Sequence, residues 1–127
     1  MTSDKGRAAD NPRPSAPRNQ PRSEPIRQLN DEFRSSFAGG RVMMTAGVAA
    51  LEDRLRAEVL RQVRQFDRFT ADNDPDGERH FGAVEQGGIR VFWKIDYYDA
   101  TLTAGSENAA DPAVTTRVMT IMLAEEY

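Results

Sequence analysis

The stretch that most limits what this chain can fold into is Ile89–Tyr98, IRVFWKIDYY. Side chains of a strand alternate between its faces, so Ile89, Val91, Trp93, Ile95 and Tyr97 share one side while Arg90, Phe92, Lys94, Asp96 and Tyr98 share the other. The aromatic and β-branched content suits a pleated surface. Gln86-Gly87-Gly88 stands directly before it, preceded by residues 80–85, and the pair of runs around a glycine turn predicts a β-hairpin. A lone hairpin is marginal in water, so other elements must cover its apolar face.

Two segments offer that cover. Ile26, Leu29, Phe33 and Phe37 recur at helical spacing behind Pro25, a residue suited to a first helical position, and Gly39-Gly40 stops the run. A second helix is expected over about 50–66. Leu51, Leu55, Val59, Val63 and Phe66 form its apolar stripe, Leu60 widens it, and Glu52, Asp53, Arg56, Arg61 and Arg64 face solvent. A short strand is expected over 41–45, and a last strand over 115–124. There Val118, Ile121, Met122 and Leu123 make both faces partly apolar, the pattern of an interior strand covered on each side. The expected class is α+β: two helices packed on a small antiparallel sheet of three to four strands, in the order α-β-α-β-β-β.

Residues 25–127 are read as one domain and residues 1–24 as a disordered tail. The tail holds Pro12, Pro14, Pro17 and Pro21 among Arg, Ser, Asn and Gln, and it cannot bury enough apolar surface to offset its ordering entropy. Charge divides the same way: the tail carries a net +2 and the domain a net −5. An acidic domain matches a phosphate backbone poorly, so nucleic acid is disfavoured as a partner. With no cysteine there is neither a disulfide framework nor a thiolate metal site. No apolar run approaches the ~18 residues of a membrane span, and no secretory leader is visible, so the expected location is cytoplasmic.

Three runs, DNDPDGERHFG over 72–82, FWKIDYYD over 92–99 and RVMTIMLAEEY over 117–127, resemble the family catalogued as domain of unknown function 3768. The likeness covers roughly residues 26–127, and FWKIDYYD is its most distinctive part. It implies a small, mainly alphaproteobacterial, cytosolic protein, often encoded near mobile elements, with no established activity. Where the family usually reads GEHDFG, this chain has Gly77-Glu78-Arg79-His80-Phe81-Gly82, so the histidine stands one residue later and the acid is missing. No histidine role carries over on that basis.

Three constellations bear on chemistry. Asp72, Asp74, Asp76 and Gly77 match the first, third, fifth and sixth positions of a calcium loop, but the closing bidentate Glu is replaced by Ala83. The plainer reading is a Pro-Asp-Gly turn. His80, the only histidine, is a catalytic candidate because the ordinary pKa of an imidazole lies near neutrality. Arg90, Lys94, Asp96 and Tyr98, beside Phe92, read as a solvated strand face or a surface for an anionic or planar ligand. Trp93 and Tyr97 are read as core. Phosphate-cradling, nucleophile-elbow and zincin motifs are missing, and no cofactor is expected.

The function expected first is a non-catalytic binding or accessory module with a protein or small-molecule partner, acting through the sheet face or the tail. Second comes a RelE-like ribonuclease toxin, whose usual basic charge this domain lacks. Third is a metal-dependent enzyme using the 72–76 acids and His80.

Overall fold

A computed structural model describes residues 23–127. The tail expected over 1–24 lies outside them except for Ser23 and Glu24, which are helical. Three helices and four strands follow: α1 (Ser23–Ser36), β1 (Arg41–Met44), α2 (Ala46–Ala49), α3 (Asp53–Arg64), β2 (Phe81–Gln86), β3 (Ile89–Tyr98) and β4 (Thr116–Leu123), with a closing 3-10 turn over Ala124–Glu126. The fold is α+β, as the periodicities imply.

The hairpin is built as expected. Gly87 and Gly88, both at positive φ, form a two-residue turn between Gln86 and Ile89, and this conformation is open to glycine at little cost. Register then runs from Gln86 opposite Ile89 to Phe81 opposite Lys94. β4 pairs antiparallel with the other side of β3, so β4 is interior, and the sheet order is β1-β4-β3-β2.

Two expectations change. The sheet is mixed, not purely antiparallel: β1 runs parallel to β4, with Arg41 opposite Val118 and Met44 opposite Ile121. No hairpin joins these strands, so chain connectivity leaves their relative direction free. The far end settles it. The Glu126 carboxylate accepts hydrogen bonds from the Thr45 hydroxyl and from the Gly47 and Leu123 amides, and Thr45 N–H donates to the Ile121 carbonyl. These bonds clamp the C-terminal ends of β1 and β4 together. The second helix expected over 50–66 is α3, Asp53–Arg64, and a single helical turn that was not expected, α2, precedes it over Ala46–Ala49. Glu52 caps α3 by accepting from the Leu55 amide, and Arg61 and Arg64 close its last turn, where cations favour the helix dipole.

All the helices of the core pack on one side of the sheet. Val59 and Val63 of α3 and Phe33 of α1 meet Val84, Val91, Trp93, Ile95, Met119 and Ile121 in one buried cluster. Trp93 is 0% exposed, held edge-on by Phe66 and Phe69. Its ring lies so close to Gly82 that a Cβ there would sit 2.6–2.7 Å from indole atoms. Among the described residues the opposite side of the sheet carries no helix, so the described helices cover β4 on one face only. Its Val118 and Met122 are nonetheless buried. None of the described helices is long and apolar enough to cross a membrane.

Candidate functional site

A buried polar chain crosses the helix side of the sheet. Its centre is Asn30, 0% exposed, placed on the inner face of α1 between Ile26 and Phe33. The Asn30 amide donates to the Glu78 carbonyl (2.9 Å) and to the Tyr97 hydroxyl oxygen (2.8 Å). Its Oδ1 accepts from Arg117 Nε at 2.7 Å. The Tyr97 hydroxyl donates to Glu78 Oε1 at 2.8 Å, and Arg117 Nη2 donates to the Ala109 carbonyl at 2.6 Å. Arg117 is 3% exposed and lies over the Tyr97 ring, 5.1 Å from its centroid. Among the described residues no carboxylate forms an ion pair with it. Its charge is answered at second hand, by Glu78 through Tyr97 and Asn30.

This arrangement moves two proton equilibria. Burial is the main cause that pushes the Tyr97 phenol well above its ordinary value; the Asn30 bond opposes the rise and the Glu78 charge adds to it. Burial lowers the Arg117 guanidinium, against the stabilising negative charge of Glu78. Tyr97 is therefore held as a neutral donor, the opposite of an activated nucleophile. Beside it opens a cleft of about 600 Å³ lined by Ile26, Glu78, Tyr97 and the 107–110 loop.

The sites read from the sequence do not gather into one place. His80 stands opposite Ile95 on the helix side, its Nδ1 3.8 Å from Glu78 Oε1 and its ring 6.4 Å from that of Tyr97. Arg90, Lys94, Asp96 and Tyr98 lie across the sheet on the open side. There Lys94 Nζ and Asp96 Oδ2 are 3.5 Å apart, Arg90 stacks over Phe92, and Tyr127 and Phe81 complete an aromatic cluster with Phe92. In the acidic loop Asp74 accepts from the Arg79 amide, Asn73 bonds back to Thr70 and Arg68, and Asp72 and Asp76 are exposed. Among the described residues no three His, Cys, Asp or Glu side chains converge as a metal site would need.

Asn30, Glu78 and Arg117 are missing from the sequence reading. Asn30 interrupts an apolar stripe, four residues after Ile26 and three before Phe33. Arg117 heads the alternation Met119, Ile121, Leu123. A polar residue set into each of two apolar patterns is the available signal, and their pairing across the core was not visible in either pattern alone.

No curated protein and no solved structure matches the chain. A protein-family model described as "Protein of unknown function (DUF3768)" matches residues 44–126, more than half of the sequence. The match takes in both the hairpin and the closing strand that bound the polar chain, and the protein belongs to that family.

Proposed function

We propose that this protein is a non-catalytic binding module of the bacterial cytoplasm, and that the side of the sheet opposite the described helices is its binding face. One observation carries the reading. The groups best suited to chemistry, Glu78, Tyr97, Asn30 and Arg117, are bound to one another, whereas the open side presents Phe81, Phe92 and Tyr127 beside Lys94, Asp96 and Arg90 with no helix over them among the described residues. An aromatic centre with a charged rim is the make-up of a protein-binding patch. The partner that fits is a protein surface with apolar side chains at its centre and both signs of charge around them. This reading ranks above the ribonuclease and metal-enzyme readings because Asp72 and Asp76 turn to solvent and the Arg90/Lys94 face is separated from His80 by the sheet.

The test uses two variants against a partner recovered by cross-linking in cells. Phe92→Ser should abolish retention while moving the melting temperature by less than about 8 °C, the shift worth roughly 1 kcal/mol in a domain this size. Glu78→Gln should leave retention unchanged. Retention that survives Phe92→Ser, or a turnover that Glu78→Gln removes, would overturn the reading.

A further inference from the structure

Among the described residues the outer edge of β2 is an unfilled strand position. In an antiparallel pair, opposite residues alternate between those that exchange backbone hydrogen bonds and those that point them outward. Ile95 N–H donates to the His80 carbonyl at 2.8 Å, and a two-residue turn joins Gln86 to Ile89. Both fix the same phase: residues 82, 84 and 86 bond to β3, and Phe81, Ala83 and Glu85 direct their N–H and C=O groups away from it. Among the described residues no hydrogen bond from any other element reaches those outward groups.

The edge is also grooved and flanked by cations. Two adjoining clefts of about 360 and 350 Å³ run along it, sharing Arg68, Val84 and Glu85 as lining. Arg68 stacks on Phe66, whose ring packs against Trp93 on the helix side. Arg90 stacks on Phe92 on the open side. Neither guanidinium forms an ion pair among the described residues, although Glu85 stands opposite Arg90 in the register. Stacking orders both planes and leaves their N–H donors free, the geometry in which arginine recognises carboxylates.

We propose that the β2 edge binds an extended segment of a partner protein as a fifth strand, and that the segment carries two adjacent acidic residues. Consecutive side chains of a strand project to opposite faces, so one carboxylate reaches toward Arg68 and its neighbour toward Arg90. Main-chain pairing supplies the common part of the affinity and the two arginines the selectivity, as in other strand-addition complexes. The charges flanking the edge also discourage pairing between two copies of the chain. The proposal rests on the reading of the protein as a binding module and adds the partner's conformation and charge.

The probes are two capped peptides, Val-Thr-Glu-Asp-Val-Thr and Val-Thr-Lys-Lys-Val-Thr, titrated into the full chain and followed by amide chemical shifts. The acidic peptide should bind with shifts centred on Phe81, Ala83 and Glu85, and the basic one should not. Ala83→Pro removes an outward N–H while sparing the ladder, since proline is tolerated on a strand edge when its nitrogen faces solvent. It should weaken binding by about tenfold, the loss of an edge bond plus a steric block. The double variant Arg68→Glu/Arg90→Glu keeps the backbone intact and should reverse the preference between the peptides. Equal binding of both peptides, binding undiminished in Ala83→Pro, no binding of either, or self-association of the chain through this strand would each overturn the proposal. Acidic-peptide binding lost in Phe92→Ser but kept in Ala83→Pro would reject the edge and leave the open face as the binding surface.

Discussion

Phe92 and Trp93 are consecutive residues on opposite sides of one sheet, and their surroundings differ in kind. Trp93 is sealed by Phe66, Phe69, the guanidinium of Arg34 and the backbone of Gly82. Phe92 is half-buried, covered by Arg90, Phe81 and the last residue of the chain. The same contrast holds for polar groups. On the helix side Asn30, Glu78, Tyr97 and Arg117 answer one another through bonds that join α1, the 74–80 turn, β3 and β4. On the open side the ion pair of Lys94 and Asp96 is contained within one strand. One face holds the molecule together, and the other is the one proposed to bind a partner.

The contrast is broken most directly by truncating each aromatic. Trp93→Ala should cost about 3–5 kcal/mol, the usual loss for a large buried ring. Phe92→Ala should cost about 1 kcal/mol, typical of a partly exposed site. Urea denaturation of the two variants decides the matter, and similar losses would mean that both faces are core. Gly82→Ala probes the sealed side from the partner strand. Its new methyl must displace the indole, and overpacking of this kind costs about 1–3 kcal/mol.

The polar chain comes next in size. Asn30→Ala leaves Arg117 Nε, the Tyr97 hydroxyl and the Glu78 carbonyl each short of a bond in the interior. A loss of about 2–3 kcal/mol is expected, the cost of stranding buried polar groups. A loss under about 1 kcal/mol would show that solvent substitutes for Asn30, and that the helix side is less sealed than its burial implies.

Much of this architecture was legible in the residues. The face assignment of β3 follows from alternation alone, and it holds residue by residue from Ile89 to Tyr98. The apolar stripes of α1 and α3 locate the covered side. What stayed hidden depends on contacts between distant segments. The parallel direction of β1 is set by Glu126 reaching Thr45 and Gly47 from the other end of the domain. The single turn of α2 lies before the apolar stripe that begins at Leu51, so periodicity could not reveal it. The polar chain joins Asn30 to Arg117, and no local pattern encodes so distant a pairing. The free edge of β2 required knowing that β4, not β2, lies between β3 and β1.

Tyr97 sharpens the comparison through pH. Its folded pKa lies above the unfolded one, chiefly because of burial. The stability it contributes is therefore complete below about pH 10, the ordinary phenol value, and is lost as pH rises through the folded pKa. Melting temperature should fall with pH above about 10 more steeply in the wild type than in Tyr97→Phe, which has no proton there to lose. Tyr97→Phe should start lower at neutral pH, because Glu78 and Asn30 lose a partner. Parallel slopes in the two proteins would sink the claim that the phenol is held neutral by the helix side.

The smallest expected effect is the most telling for the open face. Lys94 and Asp96 are separated by one residue on β3, each about two-fifths exposed, with their charged atoms 3.5 Å apart. Water screens such a pair, and holding two side chains in one geometry costs entropy, so exposed pairs contribute between nothing and about 1 kcal/mol. Lys94→Ala should change stability by less than about 0.5 kcal/mol, and high salt should change it no further. A side chain that does so little for the fold is free to take part in binding, and Lys94→Ala should weaken partner retention even though the melting temperature stays still. If it instead lowers stability by more than about 1 kcal/mol, beyond the range for exposed pairs, the open side is structural and the division between the two faces fails.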